Sequence, residues 1–582
     1  TYQGQNFYNV TFEEQTNINL SGSANFNQVE FKGNGSISGN NTFKALIFAP
    51  AKNYIIESNK KQTITNLFSV NTPACEGWAN ISSNSYGTTT EIVATSNVSI
   101  IVSGTILKNI TASGGANFIA NNSIGEGVTD GWQIPSIVGQ DLYWVGGSGN
   151  WNDRTHWSKT SGGTGGYCSP GPNDNTFVDR GSGFTLNDKT ITLDKTSYTH
   201  NISFVYSSNP PTLTENGSQT LNIYGSSEWQ EGMGAINLSN IYYRHTGEVK
   251  TIKTNGVKLG TANSSIYFEE ENSISLLDDF IVNDELYHQA GTWTTNNHQV
   301  TINGRFYAIY GSKPKVINMG SSNFYLPYTV PYFQTNSILT TINAGTSHIH
   351  FTNTTSNSYG LIAGENQRYY NVSFDNSSSA GSISAQTGTA YFNQVEFKGN
   401  GTINGNNHFY NLILAPTKNY SFPAGATQTI TNLLSASTPQ CGGWSTINSS
   451  KSGSLAKIEA ASNVTVNVSG VVMQDISGNG GATFIAQNSI DNGNNNPGWQ
   501  FPKIAGQELY WVGGSGNWND KMHWSQSSNG IGGYCVPGPS DNTIFNQGSG
   551  FTSANKTITV DNTSYTRNIT FSGSAVPPTL TQ

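Results

Sequence analysis

Apolar and polar residues alternate along many short stretches of the chain, for example in VTFEE, VEFKG, EIVATSNVSIIVSG and KTITLD. A period of two places every second side chain on the same face, which is typical of β-strands. Clusters of Gly, Asn and Ser separate these stretches. Since no run of about 12 residues combines helical periodicity with caps, the sequence predicts an all-β protein.

Two architectures fit such short strands: a string of β-sandwiches and a parallel β-solenoid. The turns favour the solenoid. Asn and Gly accept left-handed backbone angles at low cost, and the Asn-Gly pairs lack the regular spacing that hairpins need. Buried parallel strands usually read as continuous apolar runs. We expect the alternation seen here because one strand face points into a narrow core and the other faces water.

We therefore predict an elongated parallel β-helix, or solenoid, of roughly 25 coils, with β-sandwich-like insertions as the alternative for irregular parts. Asn recurs at the turns, where stacked side-chain amides of successive coils can form hydrogen-bonded ladders. The recurring turn residues are Asn34, Asn40 and Asn41, together with Asn400, Asn406 and Asn407.

The chain also repeats itself over a long period. Residues 26–35 read FNQVEFKGNG, and residues 392–401 read the same. The segment DLYWVGGSGNWND at 141–153 returns as ELYWVGGSGNWND at 508–520. Such self-similarity is the mark of a tandem array. The usual gains from tandem copying are length and the multiplication of weak binding, rather than one active site.

This period has three parts, and we expect the chain to be an excerpt of a larger array that ends inside a repeat. The expected parts are a β-repeat part A at 1–136, a Trp-rich part B at 137–213, a β-solenoid part C at 214–367, a second part A at 368–503 and a second part B at 504–582.

Composition narrows the possible partners. Only 11% of residues are charged and the net charge is −8 without a basic run, which disfavours nucleic acid. An aromatic content of 11% argues against disorder. No apolar run approaches the ~20 residues of a membrane-spanning helix. The phosphate loop, the dinucleotide fingerprint and a Ser-His-Asp arrangement are also missing, so we predict no cofactor.

Each period carries two cysteines, 93 or 94 residues apart. The spacing is too wide for a local zinc site. One interpretation is a disulfide in each repeat, Cys75 with Cys168 and Cys441 with Cys535, which suits a secreted protein. The other is that these residues are small buried apolar side chains.

One long block is more specific. It reads GGA-x-FIA-x-NSI, then GW-Q-[IF]-P, then LYWVGGSGNWND-x-x-HWS, and covers most of residues 1–213 and 368–582. This block resembles segments of the very large secreted surface proteins of Bacteroidetes, which include the giant adhesins of gliding motility exported by the type IX system. The resemblance implies an extracellular filament at the outer membrane surface. The resemblance implies adhesion and supplies no catalytic residues. The tandem repeat adds the expectation of multivalent weak contacts with surfaces or polysaccharides and with other repeats of the same chain.

Tryptophans are the first candidate binding residues. Trp144, Trp151 and Trp157 in one copy, and Trp511, Trp518 and Trp524 in the other, could stack on sugar rings. We favour packing instead, because Trp buries a large area. For the same reason we interpret His156 and His523, which lie beside them, as packed residues rather than metal ligands.

The alternative function is a carbohydrate-active β-helix enzyme, a polysaccharide lyase or glycosidase. Such enzymes need two carboxylates across a bond or a calcium-binding acidic cluster. Acidic residues do cluster in part C, but neighbours in a strand point to opposite faces, so we expect a solvated edge and no enzyme. The residues of this cluster are Glu269, Glu270, Glu271, Asp278, Asp279, Asp284 and Glu285.

Two further metal candidates are weak. His348 and His350 share a strand face but lack a third ligand nearby in the sequence. Asp174 and Asp541 could bind calcium, although capping a turn through an Asx bond is the favoured role.

Overall fold

The structure, a computed structural model, is 51% strand and 2% helical. It describes residues 4–13, 18–73, 75–85, 87–135, 137–234, 236–244, 247–269, 271–352, 359–439, 441, 443–493, 495–502 and 505–582.

The chain forms two units, Thr1–Ser322 with Leu339–Thr341, and Asn323–Ile338 with Ile342–Gln582. We divide the strands of the first unit into two blocks. Block 1 contains β1 to β14, which are Gln5–Phe12, Ile18–Leu20, Ala24–Phe31, Gly35–Ile37, Asn41–Phe48, Asn53–Ile56, Lys61–Val70, Ala79–Ser83, Thr90–Ala94, Ser99–Ser103, Thr105–Lys108, Ile110–Ser113, Asn117–Asn121 and Ile124–Glu126.

Block 2 contains β15 to β35, which are Asp141–Trp144, Gly149–Asn150, Trp157–Ser158, Asn175–Val178, Thr190–Leu193, Ser197–Thr199, Ile202–Phe204, Thr212–Glu215, Thr220–Ile223, Ser227–Glu228, Asn240–Tyr243, Val249–Lys253, Lys258–Leu259, Ser265–Phe268, Ser273–Leu276, Phe280–Val282, Glu285–His288, Gly291–Thr294, Val300–Ile302, Phe306–Tyr307 and Lys315–Asn318. Short 3-10 helices in this block span Arg154–His156 and Arg180–Ser182.

The remaining strands belong to the second unit, apart from Leu339–Thr341. Block 3 contains β36 to β53, which are Asn323–Leu326, Phe333–Gln334, Thr340–Asn343, His348–Phe351, Tyr359–Ala363, Arg368–Phe374, Ala380–Phe397, Asn400–Leu414, Asn419–Phe422, Thr427–Ala436, Ser445–Ser449, Ala456–Ala460, Thr465–Ser469, Val471–Gln474, Ile476–Asn479, Thr483–Gln487, Ile490–Asp491 and Trp499–Gln500.

Block 4 contains β54 to β60, which are Glu508–Trp511, Gly516–Asn517, Trp524–Ser525, Asn542–Phe545, Thr557–Thr559, Asn568–Phe571 and Thr579–Thr581. Its 3-10 helices span Lys521–His523 and Gln547–Ser549.

Successive strands pass from one sheet to another, as the coils of a solenoid require. In block 1 the two main sheets have the orders β1-β3-β5-β7-β9-β12 and β14-β11-β8-β6-β4-β2. Strands that follow each other in the chain therefore lie in different sheets, and each strand pairs in parallel with a strand of the next coil. The predicted all-β parallel solenoid is confirmed, with about 25 turns.

The core lies inside the coils, where inward side chains stack in columns. Phe26 and Phe43 are register partners on β3 and β5, and their rings stack with centroids 5.3 Å apart. Phe392 and Phe409 repeat this pair in block 3 at 5.4 Å. All four rings are buried. The alternation in the sequence thus sorts each strand into a core face and an outer face.

Side-chain amides bridge successive coils at the turns. Asn41 donates from Nδ2 to Oε1 of Gln62 at 3.1 Å, and Asn407 donates in the same way to Gln428 at 2.9 Å. The side chain of Asn40 accepts from the backbone N–H of Lys61. The ladders therefore combine Asn with Gln and with backbone groups, and they satisfy polar groups that the coil stack would otherwise bury unpaired.

Block 2 begins a new coil stack. In the part of the chain that the structure describes, no strand of block 1 pairs with a strand of block 2. In block 3, by contrast, stacking continues across residues 367 and 368, since His348 on β39 is the register partner of Asn371 on β41. None of the described helices is long and apolar enough to cross a membrane.

Candidate functional site

Disulfides link neighbouring blocks in each unit. Cys75, in the loop between β7 and β8 of block 1, is bonded to Cys168 of block 2, with a Cα–Cα distance of 4.7 Å. Cys441 of block 3 is bonded in the same way to Cys535 of block 4, at 4.3 Å. These are the two pairs that the matched spacing suggested, and each of them ties a loop in the middle of one coil stack to the first coil of the next.

The candidate tryptophans form the core of the first coil of each new stack. Trp144, Trp151 and Trp157 are fully buried, and their rings meet edge to face with centroids 5.1 Å apart. The antiparallel strand β17 covers the edge of β15 and places Trp157 opposite Trp144. Trp511, Trp518 and Trp524 repeat the arrangement in block 4. Their burial leaves no ring face open to a sugar.

His156 packs against the same cluster of three tryptophans, which we call the Trp cap. Its ring stacks on Trp144 at 4.7 Å, and its Nδ1 lies 2.8 Å from the carbonyl oxygen of Val145. A side chain at Gly149 would clash with the imidazole, because a Cβ there would lie 2.0 Å from Nε2. The carboxylate of Asp153 accepts from Thr155 N–H and begins a 3-10 turn. These groups therefore serve packing and capping.

A groove of about 590 Å³ runs between blocks 1 and 2. On one wall the outward residues Ser36, Ile55 and Ser82 stand in register on β4, β6 and β8. On the other wall Tyr198 and Asn222 stand in register on β20 and β23. Further amides and hydroxyls line the groove: Asn34, Asn53, Asn80, Thr196 and Thr220.

A buried ion cluster closes the groove at the β14 end. The Tyr224 hydroxyl donates to Glu126 at 2.6 Å, joining residues 98 positions apart. Lys108 lies 3.4 Å from Glu126 and 3.2 Å from Glu269. The guanidinium of Arg244 reaches Glu269 at 2.5 Å. Two cations thus face two carboxylates across the two walls, and the cluster carries no net charge.

The electrostatics of the cluster favour the ionised forms of Glu269 and Arg244. Burial alone raises the pKa of Glu269, but the charges of Arg244 and Lys108 outweigh burial and hold that pKa below its usual value. Burial lowers the pKa of Arg244, and the carboxylates of Glu269 and Glu126 raise it above its usual value. Burial also raises the pKa of Tyr224 far above its usual value, so its hydroxyl remains a donor.

Arg244 is positioned by two further contacts. Its Nε donates to the side-chain oxygen of Asn222 at 2.7 Å, and its guanidinium lies 4.0 Å above the ring of Tyr242. Tyr242 begins a stack of tyrosine rings on successive coils. The ring centroids of Tyr242 and Tyr267 are 4.1 Å apart, and those of Tyr267 and Tyr287 are 4.9 Å apart. Each stacked ring covers the face of its neighbour, so this column offers ring edges and hydroxyls rather than ring faces.

The second junction repeats the first with changes. Trp444 of block 3 lies 6.3 Å from Tyr565 of block 4, beside Asn519 and Cys441 in a cleft of about 320 Å³. In the first junction the corresponding Trp78 lines a cleft of about 220 Å³ that shares Thr196 and Tyr198 with the groove. Both junctions therefore place a partly exposed Trp beside the disulfide.

Most acidic residues of part C hold the coils together. Asp278 and Asp279 accept from the backbone N–H groups of Thr254 and Gln299 in neighbouring coils. The carboxylate of Asp284 accepts from the N–H of Asn263. The other described members form ion pairs: Glu269 with Arg244 and Lys108, Glu271 with Lys313, and Glu285 with Arg305. Glu270 lies outside the described residues.

His348 and His350 meet partners that the sequence did not suggest. Nε2 of His348 lies 2.9 Å from the Ser373 hydroxyl, and Nδ1 of His350 lies 2.9 Å from Asp375. The same nitrogen of His350, Nδ1, also lies 3.2 Å from the Ser373 hydroxyl. Within the described ranges, no group of three His, Cys, Asp or Glu side chains could hold a metal ion.

Asp174 and Asp541 cap turns. Asp174 accepts from the N–H groups of Gln140 and Gly171, each at 2.9 Å. Asp541 accepts in the same way from Gln507 and Gly538. The turn-capping role that we favoured over calcium binding is present, but each carboxylate accepts from an N–H three residues earlier and not through the expected Asx bond.

Sequence reasoning did not find the groove or its ion cluster. One signal was present: charged residues make up only 11% of the chain, so an Arg directly after the strand NIYY stands out.

Comparison with protein-family models, curated proteins and solved structures found no match. Fold and site together define the chain as a β-solenoid protein with laterally joined coil stacks.

Proposed function

We propose that this chain is a structural and adhesive segment of a very large secreted surface filament, in which tandem periods attach the cell to surfaces or polysaccharides. The resemblance suggests that the cell uses this attachment for gliding motility. The observation that supports the proposal best is the junction, which the chain builds twice with the same parts. A disulfide and a buried Trp cap join the coil stacks at each junction.

Cross-linked junctions suit a filament that bears load. The described strands of the two coil stacks share no ladder, so the disulfide would hold the stacks side by side under tension. The disulfides are compatible with an extracellular protein, because such bonds persist in oxidising compartments. A surface rich in Asn, Ser and Thr with few charges would give weak contacts at each period and strong attachment from many.

The test is attachment of beads that carry the 582-residue chain at increasing density on polysaccharide-coated glass. Resistance to flow should rise more steeply than density, since tethered copies raise effective concentration and avidity by ~10²–10⁴. Soluble chain should compete poorly, and beads carrying serum albumin are the control. Attachment that is independent of density, or absent on every surface, would contradict the proposal.

The enzyme alternative is tested on the same preparation. If the chain releases reducing ends or unsaturated ends from a polysaccharide, and if Asp278→Asn or Asp279→Asn abolishes this release, the function is catalytic. We do not favour this outcome, because both carboxylates already accept hydrogen bonds from neighbouring coils.

A further inference from the structure

The groove between blocks 1 and 2 is a candidate binding site in its own right. Its walls are the outer faces of two sheets, so residues in register along each wall repeat once per coil, at the ~4.8 Å spacing of paired strands. Ser36, Ile55 and Ser82 form such a row. A linear polymer lying along the groove would meet a new set of contacts at each coil.

The chemistry of the lining points to an uncharged, hydroxyl-rich ligand. Amides and hydroxyls both donate and accept hydrogen bonds, and Tyr198 adds an aromatic surface to them. The charges at the closed end, Lys108 and Arg244 against Glu126 and Glu269, already compensate one another. An anionic ligand would find no uncompensated cation there.

Two buried polar atoms beside the groove point to a ligand that forms hydrogen bonds. Among the described residues, Oδ1 of Asn80 and the hydroxyl of Thr72 are buried without a hydrogen-bond partner. Asn80 lines the groove, and Thr72, which is 7% exposed, lines the adjoining cleft. Buried polar groups normally have partners, since an unpaired one costs about 1–3 kcal/mol.

The second copy shows what satisfies this hydroxyl when no ligand does. There, Thr438 occupies the place of Thr72, and its hydroxyl lies 3.2 Å from the carbonyl oxygen of Gly470 and 3.3 Å from the hydroxyl of Ser445. The first copy has Ala79 at the position of Ser445, so one of these two partners is missing there, and the Thr72 hydroxyl is unpaired. The groove of the first unit therefore differs from its duplicate by leaving an acceptor and donor available.

We infer that this groove binds a segment of a neutral polysaccharide, held by Asn80, Thr72 and the two wall rows. The inference rests on the proposed adhesive function and assigns its ligand class and its location. It also places binding at the junction, where the disulfide and the ion cluster hold both walls at a set separation.

The test uses the whole 582-residue chain and neutral hexasaccharides of β-1,4-linked glucose, β-1,4-linked xylose and α-1,4-linked glucose, titrated by calorimetry. Ile55, 46% exposed in the groove, is replaced by Trp to fill it. Ile101, 48% exposed on β10, is replaced by Trp as the matched control. Both variants must retain the circular dichroism spectrum of the wild type.

At least one neutral hexasaccharide should bind the wild type. Ile55→Trp should weaken that binding by at least about tenfold, because it occludes the contacts of both walls, while Ile101→Trp should change it less than about twofold. Asn80→Ala should weaken binding roughly fivefold, the value of one hydrogen bond. Equal binding by both Trp variants would overturn the inference.

Binding of only an anionic probe, hexagalacturonate, or of no hexasaccharide at all would also overturn it. Bead attachment distinguishes a failure of the groove inference from a failure of the proposed adhesive function. If beads carrying Ile55→Trp attach like wild type, the groove inference fails and adhesion stands. If wild-type beads attach nowhere, adhesion fails, and the titration alone decides whether the groove binds sugar.

Discussion

Cys75 and Cys168 are joined across 93 residues, and their bond connects a loop of block 1 to the first coil of block 2. In the described chain these blocks share no strand ladder. Their association therefore depends on this covalent link, on the ion cluster around Glu269 and on the side chains of the two walls. The Cys441–Cys535 bond has the same position in the second unit.

Removing the first disulfide should destabilise the first unit. Cys75→Ala with Cys168→Ala releases a loop of 93 residues, and loss of a bond of this span typically costs about 2–5 kcal/mol. Urea unfolding followed by tryptophan fluorescence measures the change. A variant that lacks all four cysteines is the control, since its unfolding should not respond to reductant. An unchanged urea midpoint in the double variant would mean that noncovalent contacts suffice.

Neutralising Glu269 should cost far more than neutralising a surface glutamate. Glu269→Gln leaves Arg244 in a buried site without its carboxylate and leaves Lys108 with Glu126 alone, and breaking a buried ion pair costs about 3–5 kcal/mol. Glu13→Gln is the matched control. Its pair with Lys32 is exposed and screened by water, so this substitution should change the free energy of unfolding very little. Similar losses of unfolding free energy in both variants would refute a stabilising role for the cluster.

The pH dependence of the cluster has a defined sign. Because the folded pKa of Glu269 lies below its usual value, its stabilisation is complete above the usual value, near 4.5, and is lost as pH falls through the folded pKa. Unfolding free energy of the wild type should therefore decline below about pH 4.5. Glu269→Gln should reduce this decline, as measured by urea unfolding at several pH values.

His288 should make the first unit sensitive to acid at higher pH. Burial in the core lowers its pKa from 6.5 to about 4. The unfolded chain therefore takes up the proton first, and stability falls as pH drops from about 6.5 to about 4, by roughly 3 kcal/mol in total. His288→Leu should flatten the stability profile in this window. Leu286→Met, at a buried position of the same strand, should lower stability without changing the slope.

The tryptophan cap should be a large source of stability for block 2. Trp157→Ala removes a fully buried indole and should cost about 3–5 kcal/mol. Leu186→Ala changes a side chain that is 78% exposed in the same block and should stay within about 0.5 kcal/mol. Urea unfolding compares the two. A small effect of Trp157→Ala would show that the cap is dispensable.

Local pattern was enough to predict the coils. Strand alternation put residues such as Phe26 and Phe43 inside, and the turn amides of Asn41 and Asn407 bridge coils much as stacked Asn would. Packing of Trp157 was favoured because a large indole gains most from burial. These features depend on residues within one coil or its neighbour, so local patterns in the sequence are enough to predict them.

The sequence only partly predicted which residues of neighbouring coils pair with one another. His350 finds Asp375 25 positions later, because one coil of block 3 brings the two onto adjacent strands. The period of the coil varies along the chain, so sequence alone did not show which acidic residue would stand beside the histidine. A candidate metal pair thus became a histidine with a carboxylate partner.

The amino-acid sequence by itself determined the all-β class, the parallel coils and the repeat, and it left the cysteines either paired or simply buried. Only the tertiary structure decided where one coil stack ends and the next lies beside it. Lys108 and Glu269 are 161 residues apart, and Glu126 and Tyr224 are 98 apart. Stacking within a solenoid is a contact between neighbouring coils, whereas the groove arises from lateral packing of two outer faces, which no local pattern encodes.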